Sequence, residues 1–161
     1  MRPPIIQFRC RDGRASGFTL VEILIVVVIL GILAAIVLPG LSTGAQEAEE
    51  ATFRSNLRQY AQAFMLYHEK NCTFPPDGLP TEVPPGMDGY MDGSLWSSGK
   101  PLGGQWDWDC GVFGITAGVS VEQPARTDAQ MTELDRQIDD GDLTTGQFRK
   151  RTNGFIYILE P

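Results

Sequence analysis

The stretch RASGFTLVEILIVVVILGILAAIVLPG, from Arg14 to Gly40, decides the fold that we expect for this chain. Residues 18–38 form an apolar run of 21 residues that only Thr19, Glu22 and Gly31 interrupt. A helix of this length rises about 30 Å, which matches the hydrocarbon core of a bilayer. The apolar region of a secretory signal is shorter, at about 7–15 residues. We therefore predict a membrane-spanning helix over residues 18–38.

The charges on either side of this run predict its orientation. Residues 1–17 carry a net charge of +3, whereas the chain of 161 residues carries −7, which leaves −10 for the remainder. Basic residues next to a membrane helix stay on the cytoplasmic side, so the N-terminus should be cytoplasmic and the body should lie across the membrane. An acidic body also argues against a nucleic-acid partner, because phosphates require a positive surface.

The sequence GFTLVE (17–22), followed by the apolar run and Pro39, resembles the N-terminus of type IV pilins and type II secretion pseudopilins. The resemblance implies that residues 1–17 are a leader, that a prepilin peptidase cuts between Gly17 and Phe18, and that the new amine of Phe18 is N-methylated. The resemblance further implies that the chain is a structural filament subunit, anchored in the bacterial inner membrane with a periplasmic C-terminal domain. Such a subunit is not an enzyme and needs no cofactor. Its partners would be copies of itself, other pilin-like subunits and the inner-membrane assembly platform.

Glu22 is the only charged residue inside the apolar run. A charge near the bilayer centre costs about 2.5–3.5 kcal/mol, so a carboxylate near one end still needs a partner. Cleavage after Gly17 would create a cation on Phe18, four residues before Glu22 and on the same helix face. In the related families the glutamate meets the amine of a neighbouring subunit. Either pairing neutralises the charge, and the pairing between subunits that the resemblance implies would also set the register of the stacked helices, so we assign Glu22 to assembly and register.

Two other interpretations of the run stay open at this point. Glu22 would also be tolerated if it simply lay at the level of the lipid headgroups. Alternatively, Thr43 and Ala45 occupy the −3 and −1 positions of a conventional signal-peptidase site, which would release a soluble protein. The resemblance itself does not distinguish a pilus, a secretion pseudopilus and a DNA-uptake pilus, although an acidic body without a basic patch disfavours direct DNA capture.

Residues 39–71 are predicted to continue the helix in amphipathic form. Pro39 should end or kink the membrane helix, after which the helical pattern resumes. Apolar residues then recur every three or four positions up to the TFPPDG stretch (73–78), which should stop the helix near Asn71. The repeating apolar positions are Ala45, Ala48, Phe53, Leu57, Tyr60, Phe64 and Tyr67.

Residues 72–161 are predicted to form a small sheet domain. Prolines and glycines over 75–104 indicate loops, the stretch 104–121 alternates like strands, and FIYIL (155–159) reads as a buried strand. Thr127 and Gln130 form a capping box that begins a short helix. The fold class is therefore α+β and pilin-like: a long N-terminal helix packed on a small antiparallel sheet with one extra short helix, the sheet covering the apolar stripe.

Three features of the sheet domain are candidate sites. Cys72 and Cys110, an even number once Cys10 is lost with the leader, would form a disulfide or stay as two thiols. Asp107 and Asp109 are weak calcium candidates, with solvated turn residues as the simpler interpretation. The neighbouring tryptophans, Trp106 and Trp108, are expected in the core. If they instead stacked on a ligand, the chain would be a membrane-anchored periplasmic binding module or enzyme. The acidic stretch DDGDLTTG (139–146) lacks the spacing of an EF-hand loop.

Overall fold

The computed structural model of the chain describes residues 18–161, except for the side chains of residues 36–43. The predicted leader, residues 1–17, lies outside the described residues. The molecule divides into two compact units, with the boundary between Ser42 and Thr43.

Helix α1 extends from Leu20 to Asn71 and contains 52 residues. It does not end at Pro39, and the predicted kink there stays a prediction. Its end at Asn71 agrees with the sequence, because Cys72 adopts a left-handed backbone with φ 53° and a proline-rich loop follows. None of the helices that the structure describes has the length and apolarity of a membrane crossing.

The second unit contains a four-stranded antiparallel sheet and short helices. The strands are β1 (Gln105–Cys110), β2 (Ala117–Glu122), β3 (Phe148–Arg151) and β4 (Gly154–Glu160), in the spatial order β1-β2-β4-β3. The predicted α+β, pilin-like class is confirmed. Strand β3 was not predicted, because its sequence FRKR has no alternating apolar pattern.

The prediction of one extra short helix is wrong, because there are two α-helices and a 3-10 turn in residues 72–161. Helix α2 (Gly93–Ser98) begins where the Asp92 carboxylate accepts hydrogen bonds from the backbone amides of Ser94 and Leu95. A 3-10 turn follows at Pro101–Gly103. Helix α3 (Asp128–Ile138) is the predicted helix and begins with the predicted capping box.

The core of the second unit lies between α1 and one face of the sheet. The Phe53 ring stacks on Trp106 with centroids 5.2 Å apart, and Phe64 stacks on Trp108 at 3.7 Å. All four side chains are almost fully buried. The predicted contact between the helical stripe and the tryptophan face of the sheet is therefore confirmed. Each such aromatic pair adds about 0.5–1.5 kcal/mol beyond the burial of its area.

The proline-rich loop before α2 is fixed to this core by two buried indoles. The Trp108 Nε1–H donates to the backbone carbonyl of Pro75 at 3.0 Å, and the Trp96 Nε1–H donates to that of Glu82 at 2.8 Å. Trp96 is fully buried, a position that the sequence analysis did not predict. A buried indole N–H without a partner would be costly, so these bonds determine where the loop lies.

Candidate functional site

The first turn of α1 carries a capping box formed by Thr19 and Glu22. The Glu22 carboxylate accepts hydrogen bonds from the Thr19 backbone N–H and hydroxyl, both at 2.8 Å. In return, the Thr19 Oγ1 accepts a hydrogen bond from the Glu22 backbone N–H at 3.2 Å. This reciprocal arrangement satisfies two amides that have no partner inside the helix. Glu22 therefore has a local role that the sequence analysis did not assign.

The same cap fixes where the carboxylate lies relative to Phe18. Phe18 precedes Thr19 and is 82% exposed, whereas Gly17, the other side of the predicted cleavage site, lies outside the described residues. Because Thr19 holds the Glu22 carboxylate at the start of the helix, a new amine on Phe18 would appear within one turn of a negative charge. The negative charge of Glu22 is favourable at this position, since the N-terminus of a helix is its positive end.

The described part of the first unit exposes apolar side chains on every side of α1. The large apolar residues from Leu20 to Leu33 are between 50% and 82% exposed. A helix that is apolar all round belongs in a protein core or in lipid. An exposed apolar surface of this extent marks an interaction site for lipid or for other helices.

The Trp-Asp strand β1 is not a ligand-binding surface. Trp106 and Trp108 are 0% and 1% exposed, so neither indole can stack on a sugar or an aromatic ligand. The prediction that they belong to the core is confirmed. The main argument for a binding module or enzyme, which was a ligand site on this strand, is thereby lost.

Asp107 and Asp109 lie on the opposite face of the sheet from the tryptophans and meet Arg151 of β3. The Arg151 guanidinium lies 2.9 Å from the Asp107 carboxylate and 3.7 Å from that of Asp109, and it also donates to Ser120 Oγ at 3.0 Å. All three charged residues are buried. We call Asp107, Asp109 and Arg151 the buried charge centre.

The buried charge centre corrects the interpretation of both aspartates. They are not solvated turn residues, because the sheet and Arg151 cover them. They also do not fit a calcium ion, because a guanidinium already occupies the position beside both carboxylates. Arg151 gives no signal in the sequence beyond its place two residues before the Asn153-Gly154 turn, so the pairing across three strands was not predictable.

Burial determines the protonation behaviour of the centre. Desolvation, followed by the Asp109 charge, raises the pKa of Asp107 to about 6, although Arg151 opposes this shift. Desolvation also raises the pKa of Asp109, against the hydrogen bond from Ser120 and the charge of Arg151. Two carboxylates thus share one cation. One oxygen of each carboxylate and the Arg151 Nε have no hydrogen-bond partner.

Cys72 and Cys110 are free thiols in the structure, which agrees with the second of the two alternatives that the sequence left open and not with a disulfide. Cys72 is exposed at the end of α1, whereas Cys110 is half-buried at the end of β1. Burial, assisted by the charge of Asp77, raises the pKa of the Cys110 thiol. The even number of cysteines that suggested a pair does not report their geometry.

The fold and the N-terminal site together define a class of protein: a compact helix-and-sheet domain whose long helix α1 begins with an apolar segment that no other described residue covers. Known sequences specify this class further. A family model described as the prokaryotic N-terminal methylation motif matches residues 13–38. No solved structure shows significant similarity to the chain.

Curated relatives come from two filament systems. The type II secretion system core protein G of Pseudomonas aeruginosa is 35% identical over 88 residues, which cover 47% of this chain and 62% of that protein. The protein of the same name from Aeromonas hydrophila is 39% identical over 62 residues, covering 38% and 43%. The type IV narrow pilus major component PilA5 of Thermus thermophilus is 34% identical over 90 residues, covering 53% and 72%.

The chain belongs to the family of type IV pilins and type II secretion pseudopilins. It spans less than two thirds of the length of the secretion-system relatives that it matches, and more than two thirds of the pilus component. Membership confirms the resemblance that the GFTLVE sequence indicated.

Proposed function

We propose that this chain is a structural subunit of an extracytoplasmic filament, either a pilus or a type II secretion pseudopilus. The observation that carries the proposal is the apolar surface of α1 between Leu20 and Leu33, which is exposed all round and begins with a capped carboxylate. Lipid would cover this surface before assembly, and the helices of neighbouring copies would cover it in a filament. The two environments are equally apolar, so transfer between them costs little hydrophobic free energy.

The proposal includes processing at the N-terminus. A prepilin peptidase would cut between Gly17 and Phe18, and the new amine of Phe18 would be N-methylated. The match of residues 13–38 to the N-terminal methylation motif supports this step. Removal of residues 1–17 would delete the basic segment that holds the N-terminus in the cytoplasm. The inner-membrane assembly platform could then lift the subunit out of the bilayer, with the domain of residues 43–161 on the periplasmic side.

Glu22 supports assembly in this proposal through its charge. A cation at the N-terminus of a helix is unfavourable, because the helix dipole is positive there. The Glu22 carboxylate offsets that cation within one subunit or between neighbouring subunits. Two charges about 4 Å apart interact by about 4 kcal/mol at an effective dielectric constant of 20, and a pairing between subunits would select one stagger of the packed helices.

The capping box makes it possible to test charge and cap separately. Glu22→Gln retains a side-chain oxygen that can accept from Thr19 but removes the charge. Glu22→Ala removes both, and Thr19→Ala removes the hydroxyl of the cap but retains the charge. The measurements are the filament yield from cells and the intact mass of the chain extracted from membranes.

If charge governs assembly, Glu22→Gln and Glu22→Ala reduce filament yield equally, by tenfold or more, whereas Thr19→Ala filaments form. Normal filaments from Glu22→Gln together with failure of Glu22→Ala would show that Glu22 acts only as a cap. The intact mass of the wild-type chain should correspond to a protein that begins at Phe18. A mass that corresponds to a start at Met1, or at Gln46 after conventional signal cleavage, would contradict processing after Gly17.

A further inference from the structure

The sheet face that points away from α1 carries a groove next to the loop between β1 and β2. The groove has a volume of about 370 Å³, and its apolar lining comes from Phe113 and Ile115 of the loop and from Ile156 and Ile158 of β4. Phe113 is 54% exposed, and its ring centroid lies 4.8 Å from the Arg151 guanidinium. This groove, which we call the outer groove, therefore leaves room for one large apolar side chain.

The outer groove has a basic rim in a molecule that is otherwise acidic. Arg149 lines the groove and is exposed, and its cross-strand partner is Ile156 of the apolar lining. The Arg149 Nε–H donates to the backbone carbonyl of Gly146 at 2.6 Å, but none of the ion pairs in the described part of the chain includes Arg149. The chain as a whole carries −7. A basic rim beside an apolar groove is complementary to an apolar side chain that has acidic neighbours.

An apolar side chain with acidic neighbours lies in the loop after α1. Leu79 is 70% exposed, which is the highest value among the large apolar residues of 44–161. Asp77 and Glu82 are also exposed, and neither acid belongs to an ion pair that the structure describes. We call residues 77–82 the leucine turn, because they present a leucine between two carboxylates.

The leucine turn is held in a fixed conformation. The Glu82 backbone N–H donates to the Leu79 carbonyl at 3.0 Å, which closes a β-turn around Pro80 and Thr81. Proline fixes its own φ, and Thr81 has φ 68° at a position where glycine is usual. The Thr81 N–H donates to the Trp106 carbonyl of β1 at 2.8 Å. Because the turn is already ordered, a contact through it loses little conformational entropy.

The strand order places the two surfaces at opposite edges of the sheet. In the order β1-β2-β4-β3, the leucine turn borders β1 and Arg149 belongs to β3, three strand spacings or about 14 Å away. The exposure of Leu79 shows that it does not occupy the outer groove of its own chain. A contact between two different patches is head-to-tail, and head-to-tail contacts that do not close into a ring extend as a filament.

We propose that the leucine turn of one copy docks into the outer groove of the next copy of this chain. Leu79 enters the apolar lining beside Phe113, and the carboxylates of Asp77 and Glu82 lie next to Arg149. The inference rests on the proposed function, because it names a contact between the sheet domains of neighbouring filament subunits. It does not involve Glu22 or the apolar segment of α1, so the two can be tested separately.

The first test compares two exposed leucines by filament yield from cells. Leu79→Ala should reduce the yield tenfold or more, whereas Leu95→Ala, at a 59% exposed position on α2, should change it less than twofold. Both side chains are exposed, so each purified full-length variant in micelles should keep the Tm of the wild type within about 2 °C. A loss of yield without a loss of Tm assigns the effect to docking and not to folding.

The second test reverses the charges across the contact. Arg149→Glu and Glu82→Arg should each reduce the filament yield tenfold or more, because each brings like charges together. The double variant, which carries both changes in every copy, restores opposite charges and should recover at least half of the wild-type yield. Recovery by the double variant would not follow from damage to the fold at either position.

Three results would overturn the docking. One is a wild-type yield from Leu79→Ala or from Arg149→Glu while Glu22→Gln still fails to assemble, which would leave the proposed filament function standing. Another is a double variant that assembles no better than the single variants. The third is the absence of filaments from the wild-type chain, which would overturn the proposed function as well.

Discussion

Replacing Arg151 by methionine would test whether the buried charge centre holds three strands together. The change preserves much of the apolar stem but leaves Asp107 and Asp109 buried without their cation. Removing one partner of a buried ion pair typically costs about 3–5 kcal/mol. The loss of unfolding free energy for Arg151→Met should lie in the upper half of this range at pH 7. The reason is that one guanidinium pairs with two carboxylates, at 2.9 and 3.7 Å.

The assay is urea unfolding of the full chain in micelles, followed by tryptophan fluorescence. The three tryptophans are at most 1% exposed, so their emission reports the loss of the core directly. Arg149→Met is the matched control on the same strand, because Arg149 is exposed and should change the unfolding free energy by no more than about 0.5 kcal/mol.

A triple variant identifies the cause of any loss of unfolding free energy. Asp107→Asn and Asp109→Asn, combined with Arg151→Met, remove all three charges, and a buried ion pair replaced as a whole is often neutral or stabilising. We therefore expect the triple variant to recover most of the stability. A loss below about 1 kcal/mol for Arg151→Met, or a triple variant as unstable as the single one, would refute the assignment of charge compensation to Arg151.

Three further predictions concern the core, the pH dependence and the thiols. Phe64→Ala should lower the unfolding free energy, measured in urea, by about 3–5 kcal/mol. Met65→Ala, at a neighbouring position that is 46% exposed, should lower it far less. Equal losses of unfolding free energy for the two variants would contradict the stacking of Phe64 on the sheet. Folded Asp107, with its pKa of about 6, retains a proton that the unfolded chain releases near pH 4. Its contribution to stability therefore falls as the pH rises from 4 to 6, and Asp107→Asn should show a weaker fall in unfolding free energy over that window. Cys72 and Cys110 should both take up iodoacetamide without a reductant, Cys72 faster, and peptide masses showing them linked instead would restore the disulfide.

The sequence predicted the features that depend on local periodicity and on short motifs. The spacing of Phe53, Leu57 and Phe64 places them on one helix face whatever the fold, and the alternation in QWDWDC places both tryptophans on one face of a strand. The proline-rich stretch after Asn71 cannot continue a helix, which fixed the end of α1. The GFTLVE sequence, in register with an apolar run, was sufficient to identify the family.

The tertiary structure decided which charges meet, because that depends on strand order and not on local pattern. Arg151 reaches Asp107 across the sheet, although 44 positions separate the two residues in sequence. The same distinction applies to Cys72 and Cys110, whose number suggested a pair that the fold does not form. Local sequence thus determined the apolar faces of α1 and β1, whereas the buried charges acquired their partners only when strands distant in sequence came together.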